Sequence, residues 1–137
     1  PLLNEVFNHL MQGARLIAIH KNRFWQAEQG LQLDIGAFIH GLEYASGTQA
    51  MVIGKPSADF FQIALDDMGL QGSEVAIIGD DIDVDIAGGQ RAGLKGILTR
   101  TGKYRQAYAD SSFIKPELVI DSVAHLTAML NLGIRRS

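Results

Sequence analysis

Four aspartates, Asp80, Asp81, Asp83 and Asp85, fall within six consecutive positions. With Glu74 they make five of the chain's 15 acidic residues, and no Lys or Arg interrupts positions 74–85. Crowded like charges repel; a bound cation offsets the repulsion, and a donor set made only of oxygen selects Mg²⁺ or Ca²⁺. Asp80 directly follows the apolar run Val75-Ala76-Ile77-Ile78 and Gly79. In open α/β sheets the ligand crevice lies outside the carboxyl ends of the strands, so Asp80 stands where a site is expected. The competing explanation is structural: the acids, Asp81 and Asp83 above all, cap the following helix and complement its dipole. A calcium loop explains less. The alternating start at Asp81, Asp83 and Asp85 continues with Ile86 where that loop needs Gly, and with Ala92 where it needs Glu.

Lys55 is the second candidate, between Gly54 and Pro56 at the start of a helical pattern and 25 positions before Asp80 (80 − 55). An ammonium there reaches a phosphoryl group as a point charge, while N–H groups at a helix start favour an anion. Cation, lysine and helix N-terminus together make a phosphate cradle; a lysine in a surface turn is the plain alternative. Other residues offer less. His9, His20, His40 and His125 share no ligand spacing, and no serine sits in G-x-S-x-G. Gly88, Gly89 and Gly93 do not form G-x-G-x-x-G after a strand and are expected to pack a helix closely on a sheet. Phe24 and Trp25 beside Lys21 and Arg23 read as a loop pinned to the core rather than a base-stacking patch.

The elements that must hold these residues follow from periodicity. Leu2, Leu3, Val6, Phe7, Leu10 and Met11 share one helical face, and Gly13 stops the helix. Leu16–Ile19 reads as a buried strand, Lys21–Gln29 as a loop, residues 36–45 as a helix and Ala50–Ile53 as a second strand. A helix capped by Ser57 carries Phe60, Phe61, Ala64, Leu65 and Met68 and stops at Gly69. The unbroken apolarity of Val75–Ile78 predicts a strand covered on both faces, as in parallel sheets. A helix through Ile86, Ala87 and Gln90 follows, then strands at Leu94–Thr99 and Leu118–Ile120. A last helix, capped by Ser122 or Asp121, carries Val123, Leu126, Met129 and Leu130. Strand–helix alternation from residue 75 onward predicts a doubly wound α/β half-domain. Gly54-Lys55-Pro56 is the best domain boundary.

Composition sets outer limits. The 137 residues are 47% apolar and 20% charged, with net charge −3 and no cysteine. That excludes a disordered polyelectrolyte, a disulfide scaffold and any Cys-ligated metal site. The net charge gives no broad reason to bind nucleic acid. No run approaches 18 apolar residues, so no membrane span is expected, and no basic stretch followed by an apolar core suggests a signal peptide. The first residue is Pro1 rather than Met, and an amphipathic pattern begins almost at once, so the chain is expected to be the tail of something longer.

Gly54-Lys55-Pro56-Ser57, followed by Ile77-Ile78-Gly79-Asp80-Asp81 and then Asp85, resembles the third and fourth signature motifs of the haloacid dehalogenase (HAD) superfamily. The stretches 16–25, Gly41-Leu42-Glu43-Tyr44-Ala45 and Thr101-Gly102-Lys103-Tyr104-Arg105 are similar to its NagD-like branch. The resemblance implies an α/β fold: the C-terminal half of a Rossmann-like parallel-sheet core (residues 53–137) preceded by the end of an α/β cap domain (1–52). It implies a Mg²⁺-dependent phosphatase acting on small phosphorylated molecules through an aspartyl-phosphate. Asp80 would be a direct Mg²⁺ ligand, and Asp85 its acidic partner through water or Lys55. Asp81 would be a further metal-side acid, and Lys55 would balance charge on nucleophile and phosphoryl group. Asp34 to Phe38, with Asp34, Ile35 and Gly36 foremost, would form the cap's specificity loop.

The family's nucleophile motif, of Asp-x-Asp-Gly-Thr type, does not occur in this sequence, and the phosphoryl-binding Ser or Thr of its second motif is not identifiable. The chain alone is therefore expected to be inactive and to bind Mg²⁺ weakly. Its expected partners are a small phosphorylated substrate and, across an uncovered sheet edge, a second copy or the missing half. Neither nucleic acid nor membrane is expected, and the compartment is expected to be the cytoplasm. The rival expectation is a non-catalytic module of the same fold, with the acidic loop as a cation or partner site.

Overall fold

The structure, a computed structural model, describes residues 1–129. They form two compact units, residues 1–60 and residues 61 onward, and the division falls inside one helix.

In the first unit, α1 (Leu2–Met11) precedes β1 (Ile17–Ala18), β2 (Phe24–Ala27), β3 (Gly30–Leu33), α2 (Ile35–Ser46) and β4 (Met51–Val52). The expected face of α1 is only partly buried. Leu10 is enclosed, Val6 and Phe7 are half-buried, and Leu2, Leu3 and Met11 are exposed. The first expected buried strand also shrinks to two residues paired in parallel with β4, Ile17 with Met51 and Ala18 with Val52. Only Ala18 of that run is buried, while Ile17 and Ile19 are exposed.

The polar stretch expected to be a loop is instead half of an antiparallel hairpin. Phe24 pairs with Leu33, Trp25 with Gln32, and Ala27 with Gly30 across the two-residue turn Glu28-Gln29. Aromatic residues and cross-strand pairs outweigh the polarity of the neighbouring side chains. α2 begins where Asp34 accepts a hydrogen bond from the Ile35 amide and ends at Gly47 in the left-handed region, φ +69°. The segment expected as a specificity loop is thus the N-cap and first turn of α2.

The second unit takes in most of α3 (Ala58–Met68), then β5 (Ala76–Gly79), α4 (Ala87–Arg91), β6 (Lys95–Thr99), α5 (Gln106–Ser111) and β7 (Leu118–Ile120). The three strands form one parallel sheet in the order β5-β6-β7, with Ile78 opposite Ile97 and Thr99 opposite Ile120. Parallel pairing with intervening helices is the expected α/β arrangement. Phe61 and Leu65 of α3 pack with Leu94 under Val75, Ile77 and Ala92. Ile82, Ile86 and Leu98 form a second cluster beneath Tyr104, Ala109 and Ile114. Each fully buried Leu, Ile or Phe of the two clusters contributes roughly 1.5–3 kcal/mol by leaving water.

β5 is less enclosed than its apolarity predicted. Ile77 and Ile78 are half-buried and Ala76 is exposed, because among the described residues β5 hydrogen-bonds to β6 alone. The predicted glycine packing is present at Gly89, where a Cβ would stand 2.4 Å from Ile77 Cγ2, so α4 rests directly on the sheet; Gly93 instead turns the chain after α4 at φ +86°. Ser122 rather than Asp121 caps the last helical segment, accepting from the Ala124 amide at 3.3 Å, while Asp121 pairs with Arg100 at 2.7 Å. Of that helix's expected apolar residues, Leu130 lies outside the described residues.

Candidate functional site

The acidic run turns the chain sharply at the C-terminal end of β5. Residues Ile82–Ile86 wind as a π-helical turn, with the Asp85 and Ile86 amides both bonding to the Asp81 carbonyl. Such wide turns are uncommon and recur at functional sites. Asp81 holds the start of the turn. Its Oδ1 accepts from the Asp83 and Val84 amides at 3.1 Å each, and its Oδ2 faces the Lys103 ammonium at 3.5 Å. The capping role expected of Asp81 is therefore present. Asp83 points elsewhere and accepts from the Tyr108 hydroxyl at 2.7 Å.

Asp85 is 5% exposed, and its Oδ2 accepts from the Asp81 amide at 3.2 Å. A buried carboxylate is tolerable only when donors meet it. Gly79 makes room for it, since a Cβ there would lie 2.3 Å from Asp85 Oδ2. Asp80 reaches across to the loop after β6, where the Lys103 main-chain amide donates to its Oδ2 at 2.7 Å. The second unit thus gathers Asp80, Asp81 and Asp85 with the Gly102–Lys103 loop. The sequence assigns no site role to Gly102, Lys103 or Tyr108. The contact that matters at Lys103 is made by backbone, which no side-chain type announces.

No three His, Cys, Asp or Glu side chains among the described residues are grouped so as to hold a metal ion. A hard cation held by one or two carboxylates, completed by water and phosphate oxygens, fits the all-oxygen donor set at Asp80 and Asp85, and that is the usual habit of Mg²⁺.

The first unit carries the other expected residues. Lys55 is half-buried in the turn between β4 and α3. Asp34 caps α2 and donates its own amide to the Arg23 carbonyl at 3.1 Å, and the Gly36 amide donates to the Asn22 carbonyl at 3.0 Å. Ile35 is exposed. These contacts fasten Asn22 and Arg23, just ahead of the hairpin, to the start of α2. Nearby, Glu43 is 6% exposed. It accepts from the Lys21 ammonium at 2.7 and 2.9 Å and from the Ala50 amide at 2.8 Å, and His40 lies 3.1 Å away. The Lys21 hydrogen bond, followed by that of Ala50, holds the Glu43 carboxyl below its ordinary value. A groove between α1 and α2, lined by Leu3, Phe7, Ala37, Phe38, Gly41 and Ala45 among others, holds no titratable group and offers nothing for phosphoryl chemistry.

Comparison with known proteins defines the family. A family model described as "HAD-hyrolase-like" matches residues 52–126, more than half of the chain. The chain belongs to the HAD-like hydrolases. It is similar to haloacid dehalogenase-like hydrolase domain-containing protein 2 of Bos taurus, 46% identical over 124 residues that cover 90% of this chain and 48% of the relative. It is also similar to phospholysine phosphohistidine inorganic pyrophosphate phosphatase of Danio rerio, 39% identical over 89% of this chain and 46% of the relative. Among solved structures, NagD from E. coli K-12 superposes with a TM-score of 0.72 at 30% identity, over 90% of this chain and 48% of that one. The NagD-like resemblance and the α/β HAD fold both hold, and the chain spans about half the length of the relatives it matches. No helix of the described residues is long and apolar enough to cross a membrane.

Proposed function

We propose that this chain supplies the lysine-bearing and acid-bearing part of a Mg²⁺-dependent phosphatase that acts on small phosphorylated molecules in the cytoplasm through an aspartyl-phosphate. In this reading residues 1–52 end the cap and 53–137 form half of the core. The observation that carries it is the carboxylate of Asp80, at the C-terminal end of β5 and fixed by the Lys103 amide at 2.7 Å. Family membership and the phosphatase relatives support the reaction class.

Asp80 and Asp85 would hold the ion, Asp80 directly and Asp85 from its buried position, with Asp81 beside them as the cap of the turn. The ion, when bound, supplies charge neutralisation at the phosphoryl oxygens. Lys55 would bind the phosphoryl group and offset its charge. Asp34, Ile35 and Gly36 would bear on substrate choice from the cap side. A covalent carboxylate splits hydrolysis into two easier steps, and the sequence contains no Asp-x-Asp-Gly motif to provide one. The nucleophile would therefore come from outside these 137 residues.

The test is hydrolysis of p-nitrophenyl phosphate with and without Mg²⁺. The chain alone is expected to give no turnover above buffer. A longer protein that adds an Asp-x-Asp-Gly segment is expected to turn over, and to lose activity on Asp80→Ala. Turnover by the 137-residue chain, abolished by Asp80→Ala, would overturn the assignment of the nucleophile to another segment. An inactive longer protein that still binds the ion would favour the non-catalytic module.

A further inference from the structure

We propose that Gly102 and Lys103 form the positioning element of the candidate ion site. The Lys103 main-chain N–H aims Asp80, and Gly102 is the residue that lets it approach. The proposal rests on the reading of Asp80 as an ion ligand and extends it to a loop without a role of its own in that reading.

Three observations converge on that loop. The Lys103 amide donates to Asp80 Oδ2 at 2.7 Å, a charge-assisted bond of the stronger kind. Gly102 lies at φ +48°, in the left-handed region, and a Cβ built on it would fall 1.8 Å from Asp80 Oδ2. Even the smallest side chain at 102 must therefore displace either the carboxylate or the loop. Finally, the Lys103 ammonium lies 3.5 Å from Asp81 Oδ2, with about four-fifths of each side chain out of water, which ties the same dipeptide to the cap of the acidic turn.

Asp80 leaves a strand and heads into a turn of like charges, so nothing within residues 80–85 would keep its carboxylate facing one way. A donor from β6's far end does so without adding a side chain to the crevice. Outer partners of this kind usually change metal affinity by about 10–100-fold when removed.

The experiment uses the full chain and Mn²⁺ as a paramagnetic probe. Amide NMR spectra are recorded for the wild type, Gly102→Ala, Asp80→Ala and Gly69→Ala. Gly69 is a matched control: it also has positive φ, +64°, but a Cβ there meets nothing within 4 Å. Expected results are broadening centred on residues 79–82 in the wild type, reversed by excess Mg²⁺ and absent in Asp80→Ala. The apparent Mn²⁺ dissociation constant should rise at least about tenfold in Gly102→Ala and stay at the wild-type value in Gly69→Ala. The Lys103 amide should resonate downfield in the wild type and move upfield in both Asp80→Ala and Gly102→Ala.

Gly102→Ala binding Mn²⁺ as the wild type does would overturn the positioning proposal alone. A wild type without broadening near Asp80 would overturn the ion reading, and the proposal with it. Should Gly102→Ala not fold, the Lys103 amide decides: if Asp80→Ala leaves it in place, the proposal fails.

Discussion

Glu43 keeps its charge almost out of water because Lys21, the Ala50 amide and His40 surround it. Its folded-state pKa lies below the ordinary 4.5, with the Lys21 hydrogen bond as the main cause. The unfolded chain therefore binds the proton more readily, and the stabilisation is full above about pH 4.5 and fades as pH falls through the folded value. Glu43→Gln should destabilise the fold by about 1–3 kcal/mol at pH 7, since it leaves the Lys21 charge poorly met. Denaturant melts of both proteins between pH 7 and pH 3 should show the gap narrowing on the acid side. A gap independent of pH would assign the loss to packing. Asp80 and Asp85 stand out in the sequence because carboxylates after an apolar strand are conspicuous. Lys103 does not, since its part is played by an N–H that every residue but proline carries.

At the scale of elements, glycines separate packing from propensity. Gly89 brings α4 onto Ile77, so Gly89→Ala should cost about 1–3 kcal/mol by forcing the helix off the sheet. Gly41 lies inside α2, where an added methyl would meet nothing within 4 Å, and Gly41→Ala should stabilise by about 0.5–1 kcal/mol through helix propensity alone. Thermal melts of the two variants should move in opposite directions. Ile86 is fully enclosed, and Ile86→Ala should cost about 2–5 kcal/mol. These elements are legible because period and glycine stops agree. The β2–β3 hairpin is not: Lys21, Arg23, Gln26 and Glu28 mask its pattern, and its register rests on partners that only the fold reveals. The π-helical turn is hidden too, since no residue type distinguishes it from a helix start.

Across the whole molecule, order should follow burial. α1 buries little beyond Leu10, whereas β6 is paired on both sides and holds Leu98, 1% exposed. Amide hydrogen exchange should be fastest in α1 and slowest in β6; equal protection in both would contradict the burial pattern. The alternation of elements from residue 75 onward makes the parallel α/β half legible. The first unit is less so, because its strands are two to four residues long and only partly buried.

The bond between Asp80 and the Lys103 amide joins positions 23 apart. On a chain emerging from the ribosome, the acidic turn is exposed well before the loop that orients it. β6 must also be made and paired with β5 before that loop can arrive, and contacts that close long loops form late. A nascent chain halted after α4 would carry every aspartate of the candidate site and none of its aim. Ion affinity would then appear in one step, with the synthesis and docking of residues 95–103, so that binding itself reports the pairing of β6 with β5.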